Sequence, residues 1–306
     1  MTKRLNRVLL LLFLLIGLPF YWLLVDNRPG DAQPKPVGIE QLRQLAASRP
    51  GLAPSGVEVE LVAYRRMPGN LFSAGTGFKR RLIGVMAWQL PVAGAPPIII
   101  DSAMNAAAAA EMGMEQFDPK AWSRVEGALD AASQIIITHE HADHLGGLVS
   151  LGNANLLGKV RFNASQLPGN RWTDMLIWPK GPLPQPAIAG SQPIAVAPGV
   201  VVIPAPSHTA GSQMIFVRLA DGREFLFTGD IATLAQSWRE QRARSRLVGD
   251  YLAPEDRAEV FAWLRTIQAL KKAAPRLVIL PGHDFEWIVN PESRTGVRQG
   301  FSATLH

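Results

Sequence analysis

The chain has 306 residues, which is long enough to bury the core of one or two domains. Its composition is ordinary for a globular protein, and it contains no cysteine, which excludes disulfides, thiolate zinc sites and cysteine nucleophiles. The formal net charge of +6 permits nucleic acid or an anionic membrane surface as a partner.

An apolar segment opens the chain. Residues 8–25 carry no charge and are just numerous enough to span a bilayer as a helix. Lys3, Arg4 and Arg7 precede this segment, so the positive-inside rule places the N-terminus in the cytoplasm. We therefore expect residues 1–25 to be a membrane anchor with the remainder outside the cytoplasm, in the periplasm if the source is a Gram-negative bacterium. A cleaved signal peptide, which gives a secreted protein, and a buried core helix are the alternatives.

The rest of the chain divides into a linker and one globular domain. Residues 26–55 are rich in Pro, Gly and Ala and predict a linker with a short helix at Ile39–Ala47. Residues 56–306 form the predicted domain. Its predicted strands are residues 57–62, 81–90, 97–101, 134–137, 200–204, 214–219, 224–227 and 277–280, and its predicted helices are residues 104–115, 118–132 and 254–273. This order of elements predicts an α/β sandwich and not a simple doubly wound sheet.

Histidine and aspartate residues that could bind a metal ion are concentrated where several of these strands end. Residues 138–147 read THEHADHLGG and hold three of the six histidines in the chain. Three further candidates follow later strands: His208, Asp230 and His283. Each of these alone is more often a structural or surface residue. Together with the first cluster they form a seven-member set of donors suited to zinc, iron or manganese: His139, His141, Asp143, His144, His208, Asp230 and His283. Seven donors are too many for one tetrahedral ion with an open position, and they suit two neighbouring ions.

The pattern resembles the metallo-β-lactamase superfamily over roughly residues 57–290. The resemblance consists of HxHxDH at residues 139–144, His208 in SHTAGS, Asp230 in FTGD and His283 in PGHD. It implies a four-layer αββα sandwich with a dinuclear site at one edge of its two sheets.

The resemblance also implies a role for each residue. His139, His141 and His208 would hold one ion, Asp143, His144 and His283 would hold the second, and Asp230 would bridge them. Asp101, at the end of the strand IIID, would orient ligands through hydrogen bonds. Asp143 would also orient the nucleophile or relay a proton, whereas Glu140 is not expected to be a ligand.

A metal-dependent hydrolase is the expected function. Water shared by two divalent ions, most simply zinc with iron or manganese as alternatives, provides a bridging hydroxide near neutral pH that attacks a carbonyl or phosphoryl centre. The family resemblance associates an aspartate at position 230 with lactonases, hydroxyacylglutathione hydrolases and phosphodiesterases and not with β-lactamases. The resemblance to the glutathione enzymes is incomplete, because they have a helical C-terminal substrate domain and only 23 residues follow His283 in this sequence. Thr233 stands where many lactonases have tyrosine.

The leading prediction is therefore a hydrolase acting on a small ester or lactone. A phosphodiesterase or nuclease of the same superfamily is the second prediction, although export across the membrane makes nucleic acid an unexpected partner. A metal-containing binding protein at the membrane surface, without turnover, is the alternative from another class.

Two further groups of residues leave their roles open. Arg239, Arg242, Arg244 and Arg246 follow Asp230 and form either a substrate-binding patch or, as the favoured interpretation, a solvated helix face. Trp172, Leu176 and Trp178 line either an apolar mouth over the site or a core or membrane contact. His306, the last residue, is expected to be exposed and inert.

Overall fold

The structure is a computed structural model, and it describes residues 2–302. The prediction for His306 lies outside these residues. Two β-sheets pack face to face, and helices cover the outer face of each sheet, so the domain has the predicted four-layer αββα order.

The first sheet is mixed and has six strands. They are β1 (Glu58–Pro68), β2 (Arg80–Val92), β3 (Ala95–Ile100), β4 (Gln116–Phe117), β5 (Gln134–Ile136) and β11 (Arg298–Gln299), in the order β11-β1-β2-β3-β5 with β4 paired to β1. β5 runs parallel to β3. The ends of these two strands therefore meet at one edge of the sheet, where the Asp101 amide donates to the Ile136 carbonyl at 2.9 Å.

The second sheet has five strands, which are β6 (Ile194–Ala197), β7 (Val200–Pro204), β8 (Gln213–Arg218), β9 (Glu224–Phe227) and β10 (Val278–Leu280). β7, β8 and β9 are antiparallel neighbours, and β10 is parallel to β9. β7, β9 and β10 each end just before one of the candidate donors, so the topology brings these donors to the same edge of the sandwich.

Three apolar layers hold the sandwich together. The inner layer between the sheets contains the buried side chains of Trp88, Ile100, Val202 and Phe227, with Trp88 edge-on to Phe227 at 5.1 Å between ring centroids. The outer face of the first sheet is covered by α5 (Pro119–Ala131) and α6 (Ala142–Ser150), and that of the second by α2 (Ile39–Ala47) and α9 (Arg257–Ala273). The remaining helical segments are α1 (Lys3–Val25), α3 (Gly69–Phe72), α4 (Ala106–Glu111), α7 (Ala154–Leu157), α8 (Ala235–Glu240), a π-helical turn (Leu247–Leu252) and α10 (Phe285–Val289).

The N-terminal helix α1 is long and apolar enough to cross a membrane, and its most apolar stretch is not buried against the domain. The segment that follows is partly integrated into the fold. Its helix α2 packs on the second sheet with the Leu42 side chain fully buried.

Capping residues explain where predicted and observed helices agree or differ. The Asp118 side chain accepts from the amides of Lys120 and Ala121, and α5 begins at the next residue as predicted. The helix predicted over residues 104–115 is shorter, because it is capped by Asn105 and terminated where Gly113 takes a left-handed φ of 65°. The long helix predicted from Pro254 begins later, after the N-cap Asp256.

Candidate metal centre

The structure brings all seven predicted donors together at the edge where the strand ends meet. Four of them, His139, His141, His208 and Asp230, form one group, and the atoms they offer lie within 4.8 Å of one another. In this group His141 Nδ1 lies 3.0 Å from His139 Nε2 and 3.1 Å from His208 Nε2.

A second group consists of Asp143, His144 and His283. The Nε2 atoms of the two histidines are 3.3 Å apart, and Asp143 Oδ2 lies 3.6 Å from His283 Nε2. Asp143 and His144 both come from the first turn of α6, whereas His283 follows β10.

Asp230 lies between the two groups. Its Oδ2 lies 3.6 Å from His208 Nε2 and 3.9 Å from His139 Nε2 in the first group, and 3.1 Å from His283 Nε2 in the second. Its Oδ1 faces the second group, at 2.9 Å from His283 Nε2 and 3.6 Å from His144 Nε2. The carboxylate therefore borders both groups, and its Oδ2 is nearer to His283 than to His208 or His139.

These donors fit divalent cations by their spacing. Imidazole nitrogens bound to one tetrahedral zinc at about 2.0–2.1 Å are roughly 3.3 Å apart, and the nitrogen pairs in both groups are separated by 3.0–3.3 Å. Some polar atoms of these residues also lack a hydrogen-bond partner within the described part of the chain. His141 Nε2 and Asp230 Oδ1 are buried and accept or donate no hydrogen bond among the described residues.

Hydrogen bonds on the far side of the rings orient the second group. Asp101, which takes a left-handed φ of 58°, accepts from the Thr138 amide at 2.7 Å and from its hydroxyl at 2.8 Å. Asp101 Oδ2 also lies 2.9 Å from His144 Nδ1, which leaves His144 Nε2 directed into the group. His283 Nδ1 lies 2.7 Å from the Gly84 carbonyl oxygen and is oriented in the same way. Asp101 thus lies where its predicted role requires.

Glu255 provides the corresponding contact for the first group, and no sequence pattern predicted it. Its Oε2 lies 2.9 Å from His208 Nδ1, and its side chain is 1% exposed. Burial raises the pKa of Glu255 to about 7, against the lowering effect of Arg244. Glu255 follows Pro254 in the loop before α9, where nothing in the local sequence distinguishes it from a helix-capping acid.

Arg244 is a second residue whose position the sequence did not reveal. Its Nη2 lies 2.5 Å from Asp230 Oδ2 and its Nε donates to the Thr233 hydroxyl at 3.2 Å. The residue is buried, so the prediction of a solvated arginine face is wrong at this position.

Electrostatics separates the two groups of histidines. Burial, reinforced by neighbouring cationic groups, holds the pKa values of His139, His141 and His208 well below 6.5. Burial also lowers the pKa of His144, but Asp101, Asp143 and Asp230 outweigh it and raise that pKa to about 9. Burial raises the pKa of Asp230, yet His283 and Arg244 bring it well below its usual value. The first three imidazoles are therefore neutral and the Asp230 carboxylate is ionised, as ligation requires, whereas His144 is cationic and must lose a proton before it can bind a metal ion.

Glu140 connects the two ligand loops and does not point into either group. Its carboxylate accepts from the Thr209 hydroxyl at 2.7 Å and from the Gly211 amide at 3.0 Å. The residue is buried, and burial raises its pKa. These bonds fix the loop of His208 against the loop of His139 and His141.

The open side of the centre lies near His141 and Asp143, which are only partly buried. Trp172 packs edge-on against His141 with 4.3 Å between ring centroids, and Arg171 stacks on Trp172 at 3.9 Å. Of the three apolar residues considered for a mouth, Trp172 therefore borders the centre, whereas Leu176 and Trp178 pack against the core of the first sheet.

Comparison with known proteins agrees with this geometry. A family model described as the Metallo-beta-lactamase superfamily matches residues 92–283. No curated protein sequence matches the chain.

Several solved structures are similar in fold. One is an N-acyl homoserine lactone hydrolase with the product N-hexanoyl-L-homoserine bound at its catalytic metal center, at a TM-score of 0.60 and 19% identity, covering 77% of this chain and 95% of that one. Another is a B. thuringiensis protein with N-decanoyl-L-homoserine bound at its active site, at a TM-score of 0.59, 19% identity and the same coverage. A probable metal-dependent hydrolase from Staphylococcus aureus has a TM-score of 0.50 and 12% identity, covering 77% and 91%. At these identities the similarity establishes the fold alone.

Proposed function

Because this chain belongs to the metallo-β-lactamase superfamily, we propose that it is a metal-dependent hydrolase with a dinuclear centre that cleaves a small ester or lactone. The position of Asp230 carries this proposal, since its carboxylate lies between the two donor groups and borders histidines of both. The three-histidine group and the Asp143 group then supply the remaining ligands for two ions.

Two divalent cations bound there, zinc by the preference of imidazole and carboxylate donors, would lower the pKa of a water molecule and polarise a substrate carbonyl. The chain itself contributes a fixed donor frame, because Asp101 and Glu255 hold the His144 and His208 rings by their Nδ1 atoms. Preformed ligands reduce the reorganisation that metal binding requires.

Asp143 is the residue that we assign to proton transfer. Its side chain is 15% exposed, whereas the Asp230 side chain is 3% exposed, so Asp143 is the carboxylate that water and substrate can reach. It accepts a proton as water adds to the carbonyl carbon, and it returns that proton to the leaving oxygen as the carbon–oxygen bond breaks. The products are a carboxylic acid and an alcohol, or one hydroxy acid from a lactone.

The test uses the full chain purified in detergent. We expect about two equivalents of zinc per chain, together with turnover of a γ-lactone and of a p-nitrophenyl ester. Asp230→Ala should lose at least one equivalent and reduce kcat/KM by about 10³ or more, because the lost electrostatic stabilisation is usually the largest catalytic term. Asp221→Ala is the matched control, since Asp221 is an exposed aspartate in the β8–β9 turn.

Full metal loading with turnover of bis-p-nitrophenyl phosphate alone would support the phosphodiesterase alternative instead. Full loading without any turnover would support the binding protein.

We also propose that α1 anchors the chain in a membrane and that the domain lies outside the cytoplasm. The chain is cysteine-free, so a single introduced thiol reports topology without background. Ser48→Cys, at an exposed position just after α2, should react with a membrane-impermeant maleimide in intact cells. Thr2→Cys, before α1, should react only after the cells are permeabilised. Intact mass of the membrane-extracted protein distinguishes the anchor from a cleaved signal peptide.

A further inference from the structure

The end of α1 is hydrogen-bonded to residues 244–257, the segment that contains Arg244 and Glu255. The Asp26 side chain is fully buried, and its Oδ2 accepts from Arg246 Nε at 2.9 Å. The Arg257 guanidinium donates one hydrogen bond to the Asp26 carbonyl at 2.8 Å and another to the Arg244 carbonyl at 2.6 Å. The helix end is therefore connected through one guanidinium to the backbone of the residue that pairs with Asp230.

This attachment fixes the distance between the membrane helix and the centre. Arg246 and Arg244 are two residues apart, which spans at most about 7 Å of chain. Arg246 also stacks on the Trp22 ring at 3.9 Å, and tryptophan favours the interfacial zone of a bilayer. If α1 spans the membrane, residues 244–246 lie close to the level of the headgroups.

Exposed apolar side chains occur on segments that lie close to the helix end. Phe78 is 55% exposed and contacts Phe20 of α1, with 5.9 Å between ring centroids. Tyr251 and Leu252, in the π-helical turn that begins just after Arg246, are 64% and 67% exposed. Three large apolar side chains held beside a membrane helix have no aqueous role, but they suit insertion into the interface.

Basic residues accompany these apolar ones. Phe78 is followed by the exposed Lys79, whose charge matches the negative surface of an anionic bilayer, and by Arg80, which pairs with Glu115 at 3.0 Å. The loop over His141 adds a second apolar surface beside the centre, because Met175 and Ile177 are 71% and 89% exposed and lie shortly after Trp172.

We propose that the metal centre opens at the bilayer surface and that its ester substrate carries an acyl chain that remains in contact with the bilayer. This inference rests on the proposed hydrolase function and on the anchor. Water adds to the ester carbonyl, the bond to the alkoxy oxygen breaks, and the acyl product leaves as a carboxylic acid that can stay in the lipid. The exposed apolar residues Phe78, Tyr251 and Leu252 hold the mouth at the depth where such a carbonyl lies.

The first experiment measures position and does not depend on activity. The full chain is labelled at single introduced cysteines with an environment-sensitive fluorophore and reconstituted in phosphatidylcholine–phosphatidylglycerol vesicles. Leu252→Cys should be quenched by nitroxide-labelled lipids. Leu52→Cys should not be quenched. Leu52 is similarly exposed, at 62%, but its neighbour Gly51 lies against Pro198, which precedes β7 at the end of the sandwich opposite the centre. Equal quenching at both positions, or none at Leu252, would overturn the proposal.

The second experiment measures substrate choice. Hydrolysis of p-nitrophenyl palmitate embedded in the vesicles is compared with hydrolysis of soluble p-nitrophenyl butyrate. Replacing both Tyr251 and Leu252 by serine should reduce the first rate about tenfold and leave the second unchanged, because burial of large apolar side chains is what holds the mouth in the interface. Leu52→Ser should change neither rate. Equal loss on both substrates would refute the membrane role. Absence of turnover on both of these esters and on the γ-lactone would refute the hydrolase function and leave the quenching result to decide the position.

Discussion

Glu255 offers the sharpest test of the candidate centre, because it touches a predicted ligand and is not itself one. Its carboxylate holds His208 Nδ1 at 2.9 Å, while its Oε1 has no hydrogen-bond partner among the described residues. Two substitutions separate its possible roles. Glu255→Gln keeps the shape and an acceptor oxygen but removes the charge, and Glu255→Ala removes the contact completely.

The expected magnitude follows from this single contact. Loss of an outer partner of a ligating histidine typically weakens metal binding by about 10–100-fold, or roughly 1.4–2.7 kcal/mol at about 1.4 kcal/mol per tenfold. We expect the glutamine variant near the lower limit, because its amide oxygen still accepts from Nδ1, and the alanine variant near the upper limit. Only one equivalent should be affected, since His208 belongs to the first donor group alone.

Glu255→Gln should not lower the stability of the metal-free protein, although it lowers the metal affinity. A buried carboxylate with one unpartnered oxygen is poorly compensated for its desolvation, whereas a glutamine amide of the same shape has no charge to desolvate. Glu255→Gln should therefore leave the melting temperature in the presence of chelator unchanged or raised, while metal affinity falls.

The assay is zinc competition with a chromophoric chelator, combined with thermal melting of the same preparations with and without chelator. Glu286→Gln, an exposed glutamate in α10, is the control and should change neither quantity. If Glu255→Gln lowered the metal-free melting temperature and left both zinc affinities intact, Glu255 would be a packing residue and the reasoning about His208 would be wrong.

The remaining predictions concern packing, pH and the ligand loops. Gly147→Ala should destabilise the protein by about 1–3 kcal/mol or more in urea unfolding, because its Cβ would collide with the Ser102 carbonyl oxygen. Gly127→Ala, at an open position of α5, should stabilise it by about 0.5–1 kcal/mol. Asp26→Asn should cost about 1–3 kcal/mol at pH 7. Burial raises the pKa of Asp26, but hydrogen bonds from Arg28 and Arg246 bring it below 3.8, so the stabilisation is present above that pH and lost as pH falls below it. Glu140→Ala should release the His208 loop and remove one zinc equivalent, which zinc competition measures.

Each of these expectations can be contradicted by one result. Equal effects of alanine at the two glycines would show that the close approach at Gly147 is not restrictive. A stability difference between wild type and Asp26→Asn that does not narrow below pH 3.8 would show that the ion pairs of Asp26 are not its source. Two retained zinc equivalents in Glu140→Ala would show that the loop holds its position without that carboxylate.

The sequence alone determined the fold class and the position of all seven donors in the chain. Its strands could be located because β-branched and apolar runs end at Gly, Pro, Asp or His, and the helix α5 because Asp118-Pro119 is a strong start signal. The donors could be located because His and Asp at fixed spacing after a buried strand are chemically specific. Short strands such as β4 and β11 could not be located, because two residues carry no periodicity and pair only after the sheet has formed.

Only the tertiary structure decided what surrounds the donors. Glu255 reaches His208 across 47 residues, and Arg246 reaches Asp26 across 220. Neither contact leaves a local pattern, because an acid before a helix and an arginine after one are common on any surface. Arg244 could be read as a solvated residue until folding buried it against Asp230. Local sequence motifs identify the residue types of the centre. The orientation of its side chains, its charge balance and its distance from helix α1 depend on contacts between residues far apart in the chain, and such contacts produce no periodicity in the sequence.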